Sequence, residues 1–161
     1  MAVAPGAAHA TKRWPEEHWT ALVREAVAGG LRIGVVGGPR EVDLCRRVAT
    51  AGGTAARSTA GSFDLQETGA LLARARVLVS GDSGVMHMAT GVGTPVVALF
   101  GPTVQAFGFF PYRAPATVLE RELPCRPCSA QGGPRCPLGH HRCLRDIVPS
   151  LVLAALRSHL A

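Results

Sequence analysis

The feature that most constrains this chain is a repeated alternation of short Val/Ala-rich runs with longer helical runs. Ala2–Pro5, Ile33–Val36, Ala55–Thr59, Val77–Ser80 and Val96–Phe100 have the length and composition of strands. Segments of helical period lie between them, the signature of βαβ units on a parallel sheet. Pro15 suits a first helical position, with Glu16 and Glu17 in the positive first turn. Trp19, Leu22, Val23, Ala26 and Val27 then recur at i, i+3, i+4, i+7 and i+8, and Gly29-Gly30 stops the run. Val42, Cys45 and Val48 form a second stripe, which places Cys45 in a core as a small hydrophobe. Asp64 and Glu67 read as a capping box for a third helix carrying Leu65, Leu71, Leu72 and Ala75. A short helix from Ser83 to Gly91 and a closing helix from Ile147 to Leu160 complete the pattern, and residues 101–145 show little periodicity. The expected fold class is α/β, a Rossmann-like parallel sheet with helices on both faces.

At 161 residues, with 47% apolar and 17% charged, the chain sustains a real core and is not intrinsically disordered. The longest apolar run, Pro95 to Phe100, is too short to span a bilayer, and the first fifteen residues hold no apolar signal core, so a cytoplasmic location is expected. The net charge of +6 is uneven. Arg113 to Arg145 carries six arginines against Glu120 and Glu122, which suggests an anionic partner.

Four expected strands run almost at once into glycine, at Gly6, Gly37, Gly81 and Gly101. Ligands of open parallel sheets bind beyond the carboxyl ends of the strands. There, Gly81-Asp82-Ser83-Gly84-Val85-Met86-His87 follows a buried strand. Ser83 is a good N-cap, so the free amides of the next helix and its dipole form a phosphate-sized anion site. On a helical projection Val85, Met88, Ala89 and Val92 share one face, while Ser83, His87 and Thr90 lie opposite. That placement takes His87 out of the core and toward the site. A nucleophilic triad is excluded, because the G-x-S-x-G elbow is missing. Thr11-Lys12-Arg13 brings the only lysine to the same edge, where a cation and a helix N-terminus suit a diphosphate leaving group.

Cys125 and Cys128 form a C-x-x-C, followed by Cys136 and Cys143, with His140-His141 between the last two. Four cysteines in nineteen residues suit a tetrahedral thiolate site for zinc, or for iron, with a histidine able to replace one ligand.

Taken together, Pro5-Gly6-Ala7, Lys12-Arg13-Trp14-Pro15, the Gly81-to-His87 block, Phe100-Gly101-Pro102-Thr103 and the Cys125-to-Cys143 segment with Gly139-His140-His141 resemble the carboxy-terminal lobe of the heptosyltransferases, glycosyltransferase family 9. The resemblance covers nearly the whole chain. It implies one nucleotide-sugar-binding lobe of a GT-B fold over residues 1–161, with the Cys-rich segment 113–145 inside it and the helix 147–160 closing it. It implies an enzyme that inverts the anomeric centre while moving a sugar from a nucleotide diphosphate, ADP-heptose above all, onto the lipopolysaccharide core. The implied donor-binding set is Gly6, Thr11, Lys12, Asp82, Ser83, Gly84, His87 and Thr103. Lys12 would neutralise the diphosphate, Ser83 and Gly84 would hold it, Asp82 would orient sugar hydroxyls, and His87 would stand beside them. No catalytic metal is implied, and a metal at Cys125, Cys128, Cys136 and Cys143 would be structural. The family's amino-terminal lobe, which presents the acceptor and its base, has no counterpart in residues 1–161, which fits a truncated gene, a split enzyme whose other half is separate, or a nucleotide-sugar-binding half alone. The implied partners are the nucleotide-sugar donor, a separate amino-terminal lobe in the split case, and a lipid-linked acceptor at the inner-membrane face.

Two other readings compete. A zinc-stabilised nucleic-acid module would interleave aromatics with the arginines, whereas Phe107, Phe109, Phe110 and Tyr112 precede them. A nucleotide-sugar epimerase shares the fold and an Asp-Ser-Gly turn but is not expected to carry the cysteine segment.

Overall fold

The computed structural model describes residues 1–160. Six strands form one sheet: β1 (Ala2–Ala4), β2 (Ile33–Val35), β3 (Ala56–Ser58), β4 (Leu78–Gly81), β5 (Val96–Leu99) and β6 (Ala116–Leu119). Their spatial order is β3-β2-β1-β4-β5-β6, and every neighbouring pair is parallel. The chain connects outward from β1 to β3, then returns to β4 on the other side of β1. The order therefore reverses between β1 and β4, the crevice where such sheets bind ligands.

The helices are α1 (Glu16–Ala28), α2 (Val42–Thr50), α3 (Leu65–Ala73), α4 (Gly84–Gly91), α5 (Arg142–Arg145) and α6 (Pro149–Leu160). Alternate strand residues divide between two cores, as the period of two requires. Val3, Val35, Val79, Val97 and Leu99 pack with Trp19 and Leu22 of α1, Val48 of α2 and Val152 and Leu156 of α6. Ala2, Ala4, Leu78, Val96 and Ala98 pack instead with Leu72 of α3 and Met86 and Ala89 of α4. Central strands buried on both faces explain why β4 and β5 read as continuous apolar runs.

The capping box on α3 forms as read: the Asp64 carboxylate accepts from the Glu67 amide at 2.8 Å, and Glu67 accepts from the Asp64 amide at 2.9 Å. Cys45 is fully buried. Three expectations change. β6 adds a sixth strand inside the segment read as aperiodic, at the sheet edge, where one-sided pairing asks less of its side chains. The buried face of α4 is Met86 and Ala89, with Val85 and Met88 flanking and Val92 exposed. Leu65, named with Leu71, Leu72 and Ala75 on the third helix, is the first residue of that helix and is 76% exposed, while Ala75 lies beyond its last residue, Ala73.

Candidate functional site

The crevice between β1 and β4 is built by two connections. After β4, Ser83 takes extended angles and caps α4, its hydroxyl accepting from the Met86 amide at 3.5 Å and sharing a 2.9 Å bond with the Ser80 hydroxyl. The first-turn amides of an α-helix have no intrahelical acceptor, so Gly84 and Val85 leave donors at the positive end of the dipole. Gly84 is exposed, and a Cβ there would meet nothing within 4 Å, so the approach to these amides is open. His87 lies one turn on and is exposed, as its position opposite the core face implied.

After β1 the chain makes a 3-10 turn over Ala10–Lys12. Lys12 reaches across to Asp82, with Nζ 2.6 Å from Oδ2 and side-chain exposures of 10% and 5%. The Thr103 hydroxyl donates to the same Oδ2 at 2.8 Å. The Phe109 ring lies under the ammonium, 4.8 Å from Nζ to its centroid, and adds a cation–π contact. A buried ion pair with a second hydrogen bond is thus placed beside the amino-terminal end of α4. The ammonium has three donors and Asp82 occupies one.

Two of the expected ligand contacts serve the framework instead. Thr11 is 4% exposed, and its hydroxyl donates to the Gly133 carbonyl at 3.1 Å while accepting from the Gly133 amide at 2.8 Å. Thr103 is fully buried with its hydroxyl on Asp82. Both hold the shape of the site from within.

Glu41 was not among the residues read from the sequence. Its carboxylate stands over Gly6, where a Cβ would lie 1.7 Å from Oε1, and accepts from the Gly38 amide at 2.8 Å. Gly6 therefore makes room for a carboxylate rather than for a ligand directly. The signal was present: an acid just beyond the second strand is where dinucleotide-binding sheets hold a ribose. Of the other strand-end glycines, Gly81 lies against the Lys12 carbonyl and Gly101 against that of Thr11.

The Cys-rich segment docks on this edge. His141 donates from Nε2 to the Thr11 carbonyl at 2.9 Å, and His140 accepts from the Arg142 amide at 3.0 Å through Nδ1. All the cysteines are free thiols. Burial and the neighbouring Cys128 and Cys136 push the Cys143 thiol up to about 11, and burial with Cys136 and Cys125 raises that of Cys128. Among the described residues, no group of three or more His, Cys, Asp or Glu is placed to hold a metal ion. The structural zinc or iron expected from the cysteine spacing is therefore not supported by this arrangement: His141 is committed to the Thr11 carbonyl, and His140 has Nδ1 on the Arg142 amide and Nε2 3.9 Å from the Cys125 thiol.

Part of the basic segment is used internally. Arg121 donates twice to the Asp146 carbonyl, Arg142 pairs with Asp146 at the surface, and the Arg126 side chain is 6% exposed. No helix among the described residues is long and apolar enough to cross a membrane.

The comparisons with known proteins agree with this fold. The chain is 31% identical over 158 residues to lipooligosaccharide heptosyltransferase 2 of Haemophilus influenzae, covering 93% of this chain and 44% of that protein. It superposes on the structure of Escherichia coli ADP-heptose LPS heptosyltransferase II with a TM-score of 0.79 and 27% identity, over 99% of this chain and 45% of that one. A glycosyltransferase family 9 protein from Veillonella parvula gives a TM-score of 0.81 at 27% identity, over 99% and 46% of the two chains. The chain thus spans less than half the length of these relatives. With the family model matching residues 1–136, the chain belongs to glycosyltransferase family 9, the heptosyltransferases.

Proposed function

We propose that these residues form the donor-binding lobe of a heptosyltransferase that builds the lipopolysaccharide core, with ADP-heptose as the donor. The observation that carries this reading is the convergence of Lys12, Asp82 and the Ser83-capped end of α4 at the reversal point of the sheet. The names of the Haemophilus and Escherichia relatives supply the substrate class. The diphosphate would take the Gly84 and Val85 amides, with Lys12 on the oxygens that gain charge as the glycosidic bond breaks. Fixed donors aimed at developing charge act without reorganisation, which suits a departing diphosphate. Asp82 commits Oδ2 to Lys12 and Thr103 and keeps Oδ1 for a sugar hydroxyl. Glu41 would accept from the ribose, and His87 would line the sugar side.

Displacement with inversion needs a base on the face opposite the leaving group. Asp82 and His87 both belong to the donor side of this site, so the base and the acceptor surface come from outside residues 1–161. The amino-terminal lobe in this reading provides them, and the lipid-linked acceptor brings the enzyme to the cytoplasmic membrane face. No catalytic metal enters, because Lys12 and the helix terminus supply the positive charge. The test is calorimetric titration of the 161-residue protein with ADP, UDP and inorganic phosphate. ADP binding that is lost in Lys12→Met supports the reading, and the same weak response to all three ligands would remove it.

A further inference from the structure

Arg126 lies in the Cys-rich segment, between Cys125 and Cys128, and takes no part in the site described above. Its guanidinium is nevertheless the most heavily bonded side chain near it. Nε donates to the Gly101 carbonyl, Nη1 to the Arg121 carbonyl at 2.6 Å, and Nη2 to the Thr103 carbonyl at 2.9 Å and the Glu120 carboxylate at 2.8 Å. Two of those carbonyls flank Pro102 in the loop leaving β5, which carries Thr103 onto Asp82. A planar fork with several fixed donors suits this task, since it spans separate carbonyls that a lysine would meet one at a time.

The same segment grips the other half of the pair. Gly133 exchanges three hydrogen bonds with Thr11, two through the Thr11 hydroxyl and one from the Thr11 amide at 3.1 Å. His141 holds the Thr11 carbonyl at 2.9 Å. Gly132 packs on the Lys12 stem, where a Cβ would lie 3.1 Å from Cε. One segment therefore fixes the turn that carries Lys12 and the loop that orients Asp82.

We infer that the Cys-rich segment is a two-armed brace for the Lys12–Asp82 pair, and that Arg126 is a positioning residue acting through Thr103. Arg126, Gly133 and His141 serve one end: both partners of a buried ion pair are located by a single stretch of chain. The brace is a statement about Lys12 itself; its effect on ligand affinity rests on the donor-binding reading above.

Lys12 is the only lysine, so protein labelled with 15N-lysine gives one side-chain ammonium signal. We expect Arg126→Gln to move that signal toward the free-lysine position, and Thr103→Val to do the same. The double variant should move no further than Thr103→Val alone, because residues acting through one another are not additive. Arg121→Gln, which cuts two bonds to Asp146 in the same segment, should leave the signal in place. ADP affinity should fall about tenfold in Arg126→Gln, as for other outer partners that orient a binding group, and stay unchanged in Arg121→Gln. An Arg126→Gln signal at the wild-type position, or one matched by Arg121→Gln, overturns the inference, as does full additivity with Thr103→Val. Thr11→Val opens the other arm and should also move the signal, which decides the matter if Arg126→Gln does not fold. If the wild-type protein binds no ADP while the signal responds as described, the donor reading fails and the brace stands.

Discussion

Removing either partner of the Lys12–Asp82 pair should cost far more stability than removing both. The groups are 2.6 Å apart with side-chain exposures of 10% and 5%, so little water remains to solvate an orphaned charge. At an effective dielectric constant of 20, charges about 3 Å apart attract by about 5 kcal/mol, most of which offsets the desolvation of both ions. Breaking a buried pair from one side typically costs about 3–5 kcal/mol, because an uncompensated charge stays inside. Lys12→Met leaves the Asp82 carboxylate with only the Thr103 hydroxyl and belongs in that range. Asp82→Leu leaves the ammonium over the Phe109 ring, so its cost should be smaller by roughly the 1–2 kcal/mol of a desolvated cation–π contact. Lys12→Met/Asp82→Leu removes both charges and should be within about 1 kcal/mol of wild type. The assay is urea unfolding followed by tryptophan fluorescence, for which Trp14 and Trp19 are buried reporters. Single variants each costing under about 1 kcal/mol, or a double variant equal to their sum, would refute the assignment of a desolvated, coupled pair.

Other outcomes follow from the same structure. Asp64→Ala should destabilise by about 1 kcal/mol in urea unfolding, since it removes the cap of α3. The Arg47 guanidinium holds the Glu16 carboxyl below its usual range. Its contribution is therefore present at neutral pH and lost as pH falls through the lowered folded value. Because both groups lie at the surface, Glu16→Gln should cost only about 0.5 kcal/mol at pH 7 and nothing once the pH is below that value. With a maleimide at pH 8, the half-buried Cys125 and Cys136 should be modified first. Cys143, pushed up to about 11, and Cys45, pushed by burial to about 12, hold little thiolate and should react last, as mass spectrometry of the modified peptides would show.

Much of this architecture was legible in residue order. Strands buried on both faces announce themselves as Val/Leu runs, and β4 and β5 are of that kind. That Lys12 and the turn after β4 share one edge was also legible, because in a parallel sheet every strand delivers its following loop to the same edge; that Lys12 pairs there with Asp82 was not. What escaped has physical causes. β6 is a four-residue edge strand with partly exposed side chains, so it carries neither the apolar run nor the alternation of a central strand. α4 is short, and its buried face is Met86 with Ala89, which the helical projection did not anticipate. Glu41 was hidden by its second role, accepting from the Gly38 amide at the start of a 3-10 turn. Arg126 binds backbone carbonyls, and such partners leave no trace in residue type or spacing. The cysteine spacing did carry a metal pattern, but spacing cannot show that His141 is held by the Thr11 carbonyl instead.

The central claim is that a nucleotide diphosphate is held by Lys12 and the Ser83-capped end of α4. Isothermal titration of ADP into the wild-type protein and into Lys12→Met tests it most directly. Because the Lys12 ammonium is placed beside the capped end of α4, its removal should weaken ADP binding by about 1.5–3 kcal/mol, the usual worth of a hydrogen bond to a charged group, or roughly ten- to a hundredfold. The Lys12→Met/Asp82→Leu variant, with stability restored, should show the same loss. ADP bound equally well by wild type and by that folded double variant would contradict the account.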